Sequence, residues 1–195
     1  IETLGAATVL CVDKTGTLTE NRMKVGAVWA NAKQLGADMD GAAGDVARAA
    51  LLASAIHPVD PMDRAVSEAL GDRAASTLSS HGGEPVSSFP LRPDRLAVIQ
   101  SWATEAGAVW AAKGAPEAIL RLCETPLAEQ KIVEAALACM AASGLRVLGV
   151  AKANDSTKAI GDPKDVPFEF VGLIGFLDPL RADVPAALAE ARAAG

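Results

Sequence analysis

Residues 7–19 read ATVLCVDKTGTLT, an apolar run that ends in a carboxylate and a glycine-containing turn. A β-branched apolar run of this kind predicts a buried parallel strand over residues 7–12. That strand would deliver Asp13 to the carboxyl edge of a sheet, where open α/β folds bind their ligands. A carboxylate there can attack a phosphoryl group, while backbone N–H groups and the hydroxyls of Thr15 and Thr17 hold the phosphate oxygens. The plainer alternative is an aspartate that only caps a turn.

The segment DKTGTLTEN, residues 13–21, resembles the phosphorylation motif of the P-type ATPases, pumps that cycle through an aspartyl-phosphate. The resemblance implies that Asp13 accepts the γ-phosphoryl group of ATP and that Lys14, Thr15, Gly16 and Thr17 complete the catalytic segment. It also implies Mg²⁺ bound by the Asp13 carboxylate and the Thr15 carbonyl oxygen. Because Thr15 cannot serve as the general acid/base that an aspartate provides in haloacid-dehalogenase-type phosphatases, we expect slow hydrolysis of the aspartyl-phosphate.

Composition narrows the class of protein. The 195 residues carry a net charge of −6, which argues against nucleic acid as a partner because phosphate neutralisation needs a basic face. No apolar run approaches the roughly 20 residues of a spanning helix, so we expect no direct membrane insertion. The three cysteines are odd in number and unpatterned, which predicts buried, reduced thiols rather than a disulfide framework or a zinc site.

The pattern along the chain predicts a nested architecture. Residues 25–171 read as an α+β nucleotide-binding domain with an antiparallel sheet and flanking helices. Residues 1–24 and 172–195 read as the first part and the return segment of an incomplete, haloacid-dehalogenase-like parallel α/β domain. The predicted strands cover residues 24–29, 33–35, 87–89, 96–102, 108–112, 146–151 and 170–176, and the predicted helices cover residues 45–56, 60 onward, 116–123, 127–142 and 184 onward.

The segment KGAPE, residues 113–117, follows an apolar strand and resembles the nucleotide-pocket motif of P-type pumps that carry protons, calcium, sodium or magnesium. Gly114 would leave the backbone open to a flat ligand, and Lys113 would project a cation at the pocket rim. The alternative is a surface lysine followed by a strand-to-helix turn with a helix-opening proline.

Further residues complete the predicted ATP site by resemblance. Leu91 occupies the position of the aromatic adenine platform, which predicts weaker ATP binding because aromatic stacking is lost. Asp63 matches the acidic helix start near the adenine amino group, and Arg146 matches the arginine that holds the phosphates. Arg95 is a candidate phosphate contact. For Asp63 the alternative is helix capping, and for Arg95 it is a solvated surface side chain.

Two more segments bear on the class of pump. LDPLR, residues 177–181, resembles the hinge where the chain re-enters the phosphorylation domain, and we expect Asp178 to pair with Arg181 across the turn. His57 and Pro58 form the dipeptide that contacts adenine in heavy-metal pumps, but no Gly-x-Gly loop accompanies them and KGAPE points away from that class. We therefore interpret this dipeptide as a loop.

The sequence predicts the ATP-binding cytoplasmic portion of a P-type ion pump, an ATP-hydrolysing translocase when full length. Its partners would be ATP, Mg²⁺, and the transmembrane and actuator domains of the same integral membrane protein. The family's TGD and GDGxND loops are not in this sequence, so we expect the fragment to bind ATP without turnover. The alternatives are a haloacid-dehalogenase-type phosphatase and a non-catalytic interaction domain without nucleotide binding.

Overall fold

The computed structural model describes residue 9 and residues 11–155 and 159–193. The chain divides into two compact units. One contains residues 24–177, and the other joins residues 1–23 to residues 178–195. Within the described residues, no helix is both long enough and apolar enough to cross a bilayer.

The unit of residues 24–177 is built on one antiparallel sheet of seven strands in the order β2-β1-β7-β6-β5-β4-β3. Its longest run is a meander from β3 through β4, β5 and β6 to β7, in which each strand pairs with the next. The strands are β1 (Lys24–Ala30), β2 (Lys33–Leu35), β3 (Ser87–Phe89), β4 (Ala97–Thr104), β5 (Gly107–Gly114), β6 (Arg146–Asp155) and β7 (Glu169–Leu177).

Helices cover both faces of this sheet. Because successive strand residues face opposite sides, β5 shows which helices lie where. Trp110 and Ala112 pack with Ile119 of α4, whereas Ala111 packs with Leu52 of α1. The helices of this unit are α1 (Gly41–Leu52), α2 (Pro61–Leu70), α3 (Asp72–Ser79), α4 (Pro116–Leu122) and α5 (Leu127–Ala142).

The predicted antiparallel sheet with flanking helices is confirmed, and the bounds of β3 and α5 agree with the prediction. The α1 helix was placed too late, because it begins at Gly41 and ends at Leu52. The α3 helix was missed. The β7 strand continues to Leu177, so residues 172–177 lie in the antiparallel sheet rather than in the return segment.

In the second unit, residues 14–18 form a wide turn that the Thr19 amide closes by donating to the Lys14 carbonyl at 3.2 Å. The α6 helix (Val184–Ala193) begins where the sequence predicts a helix. Of the predicted buried strand over residues 7–12, residues 7, 8 and 10 lie outside the described residues. Residues 9, 11 and 12 form no strand and are exposed, so the strand is not confirmed and its parallel sheet stays a prediction.

The prediction of buried cysteines was only partly right. All three thiols are free, but Cys11 and Cys139 are exposed. Cys123 is half-buried, and this burial raises its pKa to about 12, so it stays a protonated thiol at neutral pH.

Candidate functional site

A cleft of about 570 Å³ lies where the beginning of α2, the end of β5 and the beginning of β6 meet. This volume falls in the range of small-molecule binding sites, about 300–1,000 Å³. Residues from separate parts of the chain line it, and they include five of the six that the sequence predicts for nucleotide binding: Asp63, Leu91, Lys113, Gly114 and Arg146.

The Lys113 ammonium is tied into a buried network beside the cleft. It forms an ion pair with Asp63 and donates to the Ser54 hydroxyl at 2.5 Å. The side chains of Lys113 and Asp63 are only 8% and 15% exposed. The prediction of a cation projecting at the rim was therefore wrong: Lys113 points into the protein, towards the end of α1 and the start of α2.

The same burial determines the protonation behaviour of Lys113. Desolvation lowers the pKa of Lys113 below its ordinary value, and the nearby charges of Asp63 and Asp60 oppose that shift. Because the ion pair is almost fully enclosed, removing either partner leaves a charge with little access to water.

Ser54 also belongs to this network, although no sequence motif points to it. Its hydroxyl donates to the Ala50 carbonyl at 2.8 Å and accepts from Lys113, so it links the last turn of α1 to β5. Asp63 adds a second link, since its carboxylate also accepts from the Ala55 amide at 3.2 Å. Together these bonds fix the connection between α1 and α2.

The start of α2 borders the cleft with a well-formed cap. The Asp60 carboxylate accepts from the amides of Met62 and Asp63 at 2.7 and 3.4 Å, and Pro61 occupies the first turn. Asp60 is therefore the capping residue. Asp63 lies inside the first turn, where it is free to pair with Lys113.

Gly114 is required by its neighbours in the sheet. A Cβ atom at this position would overlap the Leu96 carbonyl oxygen and lie 2.6 Å from the Ala97 Cα. The KGAPE motif predicts that this glycine lets a ligand approach the backbone closely. The structure shows that the backbone of β4 already occupies the space.

The apolar part of the cleft is aliphatic. Met62, Leu91, Val98 and Leu148 contribute to it, and the described lining contains no aromatic side chain. Leu91 is 59% exposed. Phe89 stacks on Trp110 with ring centroids 6.1 Å apart and is not among the residues that line the cleft.

The two arginines predicted to contact phosphate, Arg146 and Arg95, line different cavities. Arg146 opens β6 and lines the cleft with its side chain exposed to solvent. Arg95 lines a different cavity, and its guanidinium lies over Phe89 while donating to the Pro90 carbonyl at 3.1 Å. The structure therefore does not bring Arg95 together with the other five residues.

The predicted catalytic residues lie in the second unit: Lys14, Thr15, Gly16 and Thr17 are on the turn of residues 14–18, and Asp13 immediately precedes it. Asp13, Lys14, Thr15 and Thr17 are exposed. Gly16 has a φ of 81°, a left-handed conformation that glycine adopts without strain. This turn therefore presents a carboxylate and two hydroxyls to solvent on a short, sharply folded segment.

The predicted hinge residues hold this turn. Asp178 accepts from the Thr19 hydroxyl at 2.6 Å and from the Arg22 amide at 3.1 Å. Arg181 donates to the carbonyls of Thr19 and Gly16, each at 3.1 Å. The expected Asp178–Arg181 pair is thus not formed within the described part of the chain, because each side chain is engaged by the segment of residues 16–22 instead.

Comparisons with known proteins identify the family. A family model described as "P-type ATPase, cytoplasmic domain N" matches residues 95–183. "Probable cation-transporting ATPase I" of Mycobacterium tuberculosis is 31% identical over 93% of this chain. "Probable cation-transporting P-type ATPase" of Mycoplasma genitalium is 31% identical over 94% of it.

An antiparallel sheet with flanking helices fits the cytoplasmic N domain of that family. The chain belongs to the P-type ATPases and corresponds to part of their cytoplasmic region. It spans only 13% of the mycobacterial relative and 21% of the mycoplasmal one.

Proposed function

We propose that this chain is the ATP-binding portion of a cation-transporting P-type pump, located at the cytoplasmic face of a membrane. One observation supports the proposal above the others. Five residues chosen from sequence motifs that are far apart in the chain line one cleft of about 570 Å³. The transmembrane and actuator domains of the full-length pump would be the partners of this portion.

The cleft offers separate groups for the two ends of a nucleotide. The aliphatic side chains of Met62, Leu91, Val98 and Leu148 would bury the faces of the adenine ring. Arg146 is an exposed guanidinium on the same cleft, suited to bidentate contacts with phosphate oxygens. Asp63 would accept from the adenine amino group, and Lys113 would hold Asp63 in place.

Phosphoryl transfer would use Asp13 as its nucleophile in the full-length pump. In that step an Asp13 carboxylate oxygen bonds to the γ-phosphorus of ATP, the bond to the bridging oxygen breaks, and ADP leaves. The exposed hydroxyls of Thr15 and Thr17 would donate to the phosphoryl oxygens. Thr15 has no carboxylate with which to activate water, so the aspartyl-phosphate would persist.

The residues present fit Mg²⁺ only as part of a larger ligand set. Within the described residues, no three His, Cys, Asp or Glu side chains cluster as a metal site. Mg²⁺ commonly takes one or two carboxylates together with phosphate oxygens and water. Asp13 and the Thr15 carbonyl would supply the protein's share, and the bound ion would neutralise charge on the transferring phosphate.

A nucleotide titration of the purified chain tests the proposal, with backbone amide shifts followed by NMR. We expect saturable ATP binding, with shifts concentrated on the residues that line the cleft. Arg146→Ala should weaken binding by roughly ten-fold, because a charge-assisted contact to phosphate is lost. The matched control is Arg121→Ala, which removes an exposed arginine from the other cavity.

The outcomes separate the alternatives. Weakening by Arg121→Ala but not by Arg146→Ala would move the nucleotide out of the cleft. Absence of binding at millimolar ATP would favour an interaction domain. Steady release of phosphate from ATP or from phosphate esters, abolished by Asp13→Asn, would favour a phosphatase and contradict the expectation that the isolated fragment lacks turnover.

A further inference from the structure

The segment that carries the predicted catalytic residues contains a type II turn over residues 14–17. Thr15 has φ and ψ of −80° and 119°, and Gly16 has φ and ψ of 81° and −12°, close to the values of that turn type. Its central peptide group joins the Thr15 carbonyl to the Gly16 amide. A type I turn differs mainly by a flip of this peptide group, so the turn type decides where the Thr15 carbonyl oxygen points.

The Thr19 hydroxyl holds one end of that central peptide group. Its oxygen accepts from the Gly16 amide at 3.2 Å, and Thr19 is 0% exposed, whereas Thr15 is exposed. The peptide is trans, so its C=O and N–H point in opposite directions. The Thr15 carbonyl is therefore directed away from the buried hydroxyl, and a flip would turn it toward that hydroxyl.

Asp178 fixes the direction of the Thr19 hydroxyl. An ionised carboxylate can only accept, and the 2.6 Å distance between the hydroxyl and an Asp178 oxygen is typical of a charge-assisted bond. The Lys14 carbonyl lies farther from the same hydroxyl, at 3.3 Å. Because the single hydroxyl proton is donated to Asp178, only lone pairs face the turn. They accept from the Gly16 N–H and would repel the Thr15 carbonyl oxygen in a flipped peptide.

The rest of the turn is held separately. Arg181 donates to the Gly16 carbonyl and to the Thr19 carbonyl, each at 3.1 Å. The Thr19 amide donates to the Lys14 carbonyl at 3.2 Å. With these bonds in place, loss of the Thr19 hydroxyl would release the central peptide group while the ends of the turn stay fixed.

We propose that Thr19 is a positioning residue for phosphoryl transfer. Its hydroxyl, directed by Asp178, keeps the Thr15 carbonyl oxygen in the outward orientation in which it is available to Mg²⁺. This role rests on the function proposed above, in which Asp13 and the Thr15 carbonyl supply the protein's share of the metal ligands. The segment that follows β7 thereby controls a ligand on the catalytic turn through one buried hydroxyl.

The first test measures the turn type in the whole chain by nuclear Overhauser effects. A type II turn places the Thr15 Hα close to the Gly16 amide proton, whereas a type I turn places the two amide protons close together. We expect the type II pattern in the parent and in Thr19→Ser, which keeps the hydroxyl. The isosteric Thr19→Val should shift the ratio of turn types about five-fold toward type I, because one hydrogen bond is lost.

The second test uses Mn²⁺ as a paramagnetic probe of the metal position. We expect Mn²⁺ to broaden the amide signals of residues 13–16 in the parent and in Thr19→Ser. Thr19→Val should need roughly ten-fold more Mn²⁺ for the same broadening, because groups that orient a metal ligand commonly contribute that much to affinity. Signals near Asp72, an exposed carboxylate of the other unit, serve as the internal reference.

The matched control is Thr125→Val. Thr125 is also a buried threonine, but its hydroxyl has no hydrogen-bond partner in the described structure, so both readouts should stay at parental values. Parental readouts in Thr19→Val, or failure of Thr19→Ser to match the parent, would overturn the proposal. The parent alone can also refute it, even if Thr19→Val does not fold, through a type I pattern or through unbroadened signals at residues 13–16. Neither measurement contains nucleotide, so a failure of ATP binding at the cleft would leave both unchanged.

Discussion

At the scale of single residues, the Lys113–Asp63 pair does two things at once. It keeps a buried ammonium neutralised, and it anchors the connection between α1 and α2 through Ser54 and Ala55. A side chain in such a network is a poor candidate for free contact with phosphate. We infer that Lys113 acts on a nucleotide mainly by positioning Asp63. A substitution of either residue therefore tests the whole network, although both side chains are largely buried.

We predict that Asp63→Asn destabilises the chain by about 3 kcal/mol near neutral pH, because it leaves the Lys113 cation buried and unpaired. Urea unfolding followed by circular dichroism measures this loss. The control Asp165→Asn changes an exposed carboxylate of the same unit and should stay within about 0.5 kcal/mol of the parent. Equal losses for the two variants would mean that the ion pair contributes nothing specific.

The same variant has a pH dependence of known sign. Burial lowers the pKa of Lys113 and Asp63 raises it, so Asp63→Asn lowers the folded-state pKa further. The unfolded chain of either form still binds that proton up to about pH 10.4. Where the folded variant has lost the proton and the folded parent has kept it, the variant gains stability relative to the parent. The deficit should therefore shrink as pH rises toward that limit, in unfolding curves recorded from pH 7 to 10.

At the scale of elements, the sequence predicted what depends on local pattern. The bounds predicted for β3, residues 87–89, and for α5, residues 127–142, match the structure. The α3 helix was missed because Asp72–Ser79 is short and polar and buries only Ala74 and Thr77. The orientation of the Lys113 side chain was predicted wrongly for a different reason. Its ion-pair partner, Asp63, lies in a distant part of the chain, and only tertiary packing brings the two together.

In the candidate site too, sequence motifs predicted some residues, whereas tertiary packing determined the place of others. Resemblance to P-type ATPase motifs selected Asp63, Leu91, Lys113, Gly114 and Arg146, and all five line the cleft. The sequence could not show that Arg95 lies over Phe89 beside another cavity, because its place depends on the tight turn after Arg92. Ser54 was not predicted, because a single serine after a helix belongs to no recognisable sequence motif.

The close approach of β4 and β5 gives a prediction for Gly114. We expect Gly114→Ala to cost about 1–3 kcal/mol, because the added methyl group meets the backbone of Leu96 and Ala97, which has little room to move. Thermal unfolding measures the loss. Gly161→Ala is the matched control, since a Cβ atom there meets nothing within 4 Å.

That control should be neutral or slightly stabilising, by up to about 1 kcal/mol, because alanine restricts the unfolded chain. If Gly114→Ala instead folds with parental stability but loses ATP binding, the glycine serves the ligand rather than the sheet. The role predicted from the sequence, in which Gly114 lets a ligand approach the backbone closely, would then be correct.

At the scale of the whole molecule, the unit of residues 24–177 has the anatomy of an independent domain. Its sheet is continuous, and its helices cover both faces. Its first and last residues are direct partners, since Lys24 pairs with Leu177 at the edge of the β1–β7 ladder. Adjacent termini are typical of domains that are inserted into another chain.

We predict that residues 24–177 fold alone and unfold in one cooperative transition. The measurement is a two-dimensional amide spectrum of this segment compared with that of the 195-residue chain, together with urea unfolding followed by two probes. Matching resonances for β4, β5 and β6 are the expected result. Collapsed, poorly dispersed resonances would show that residues outside 24–177 are needed for the fold.

The pairing of Lys24 with Leu177 also decides how this unit responds to tension. Both ends emerge from the same end of two neighbouring antiparallel strands, so a force applied through them opens the β1–β7 ladder like a zipper. The hydrogen bonds then break one after another, and no large set of them shears at once. A unit held by these two ends opens first along the β1–β7 ladder, before the strands that carry Lys113 and Arg146.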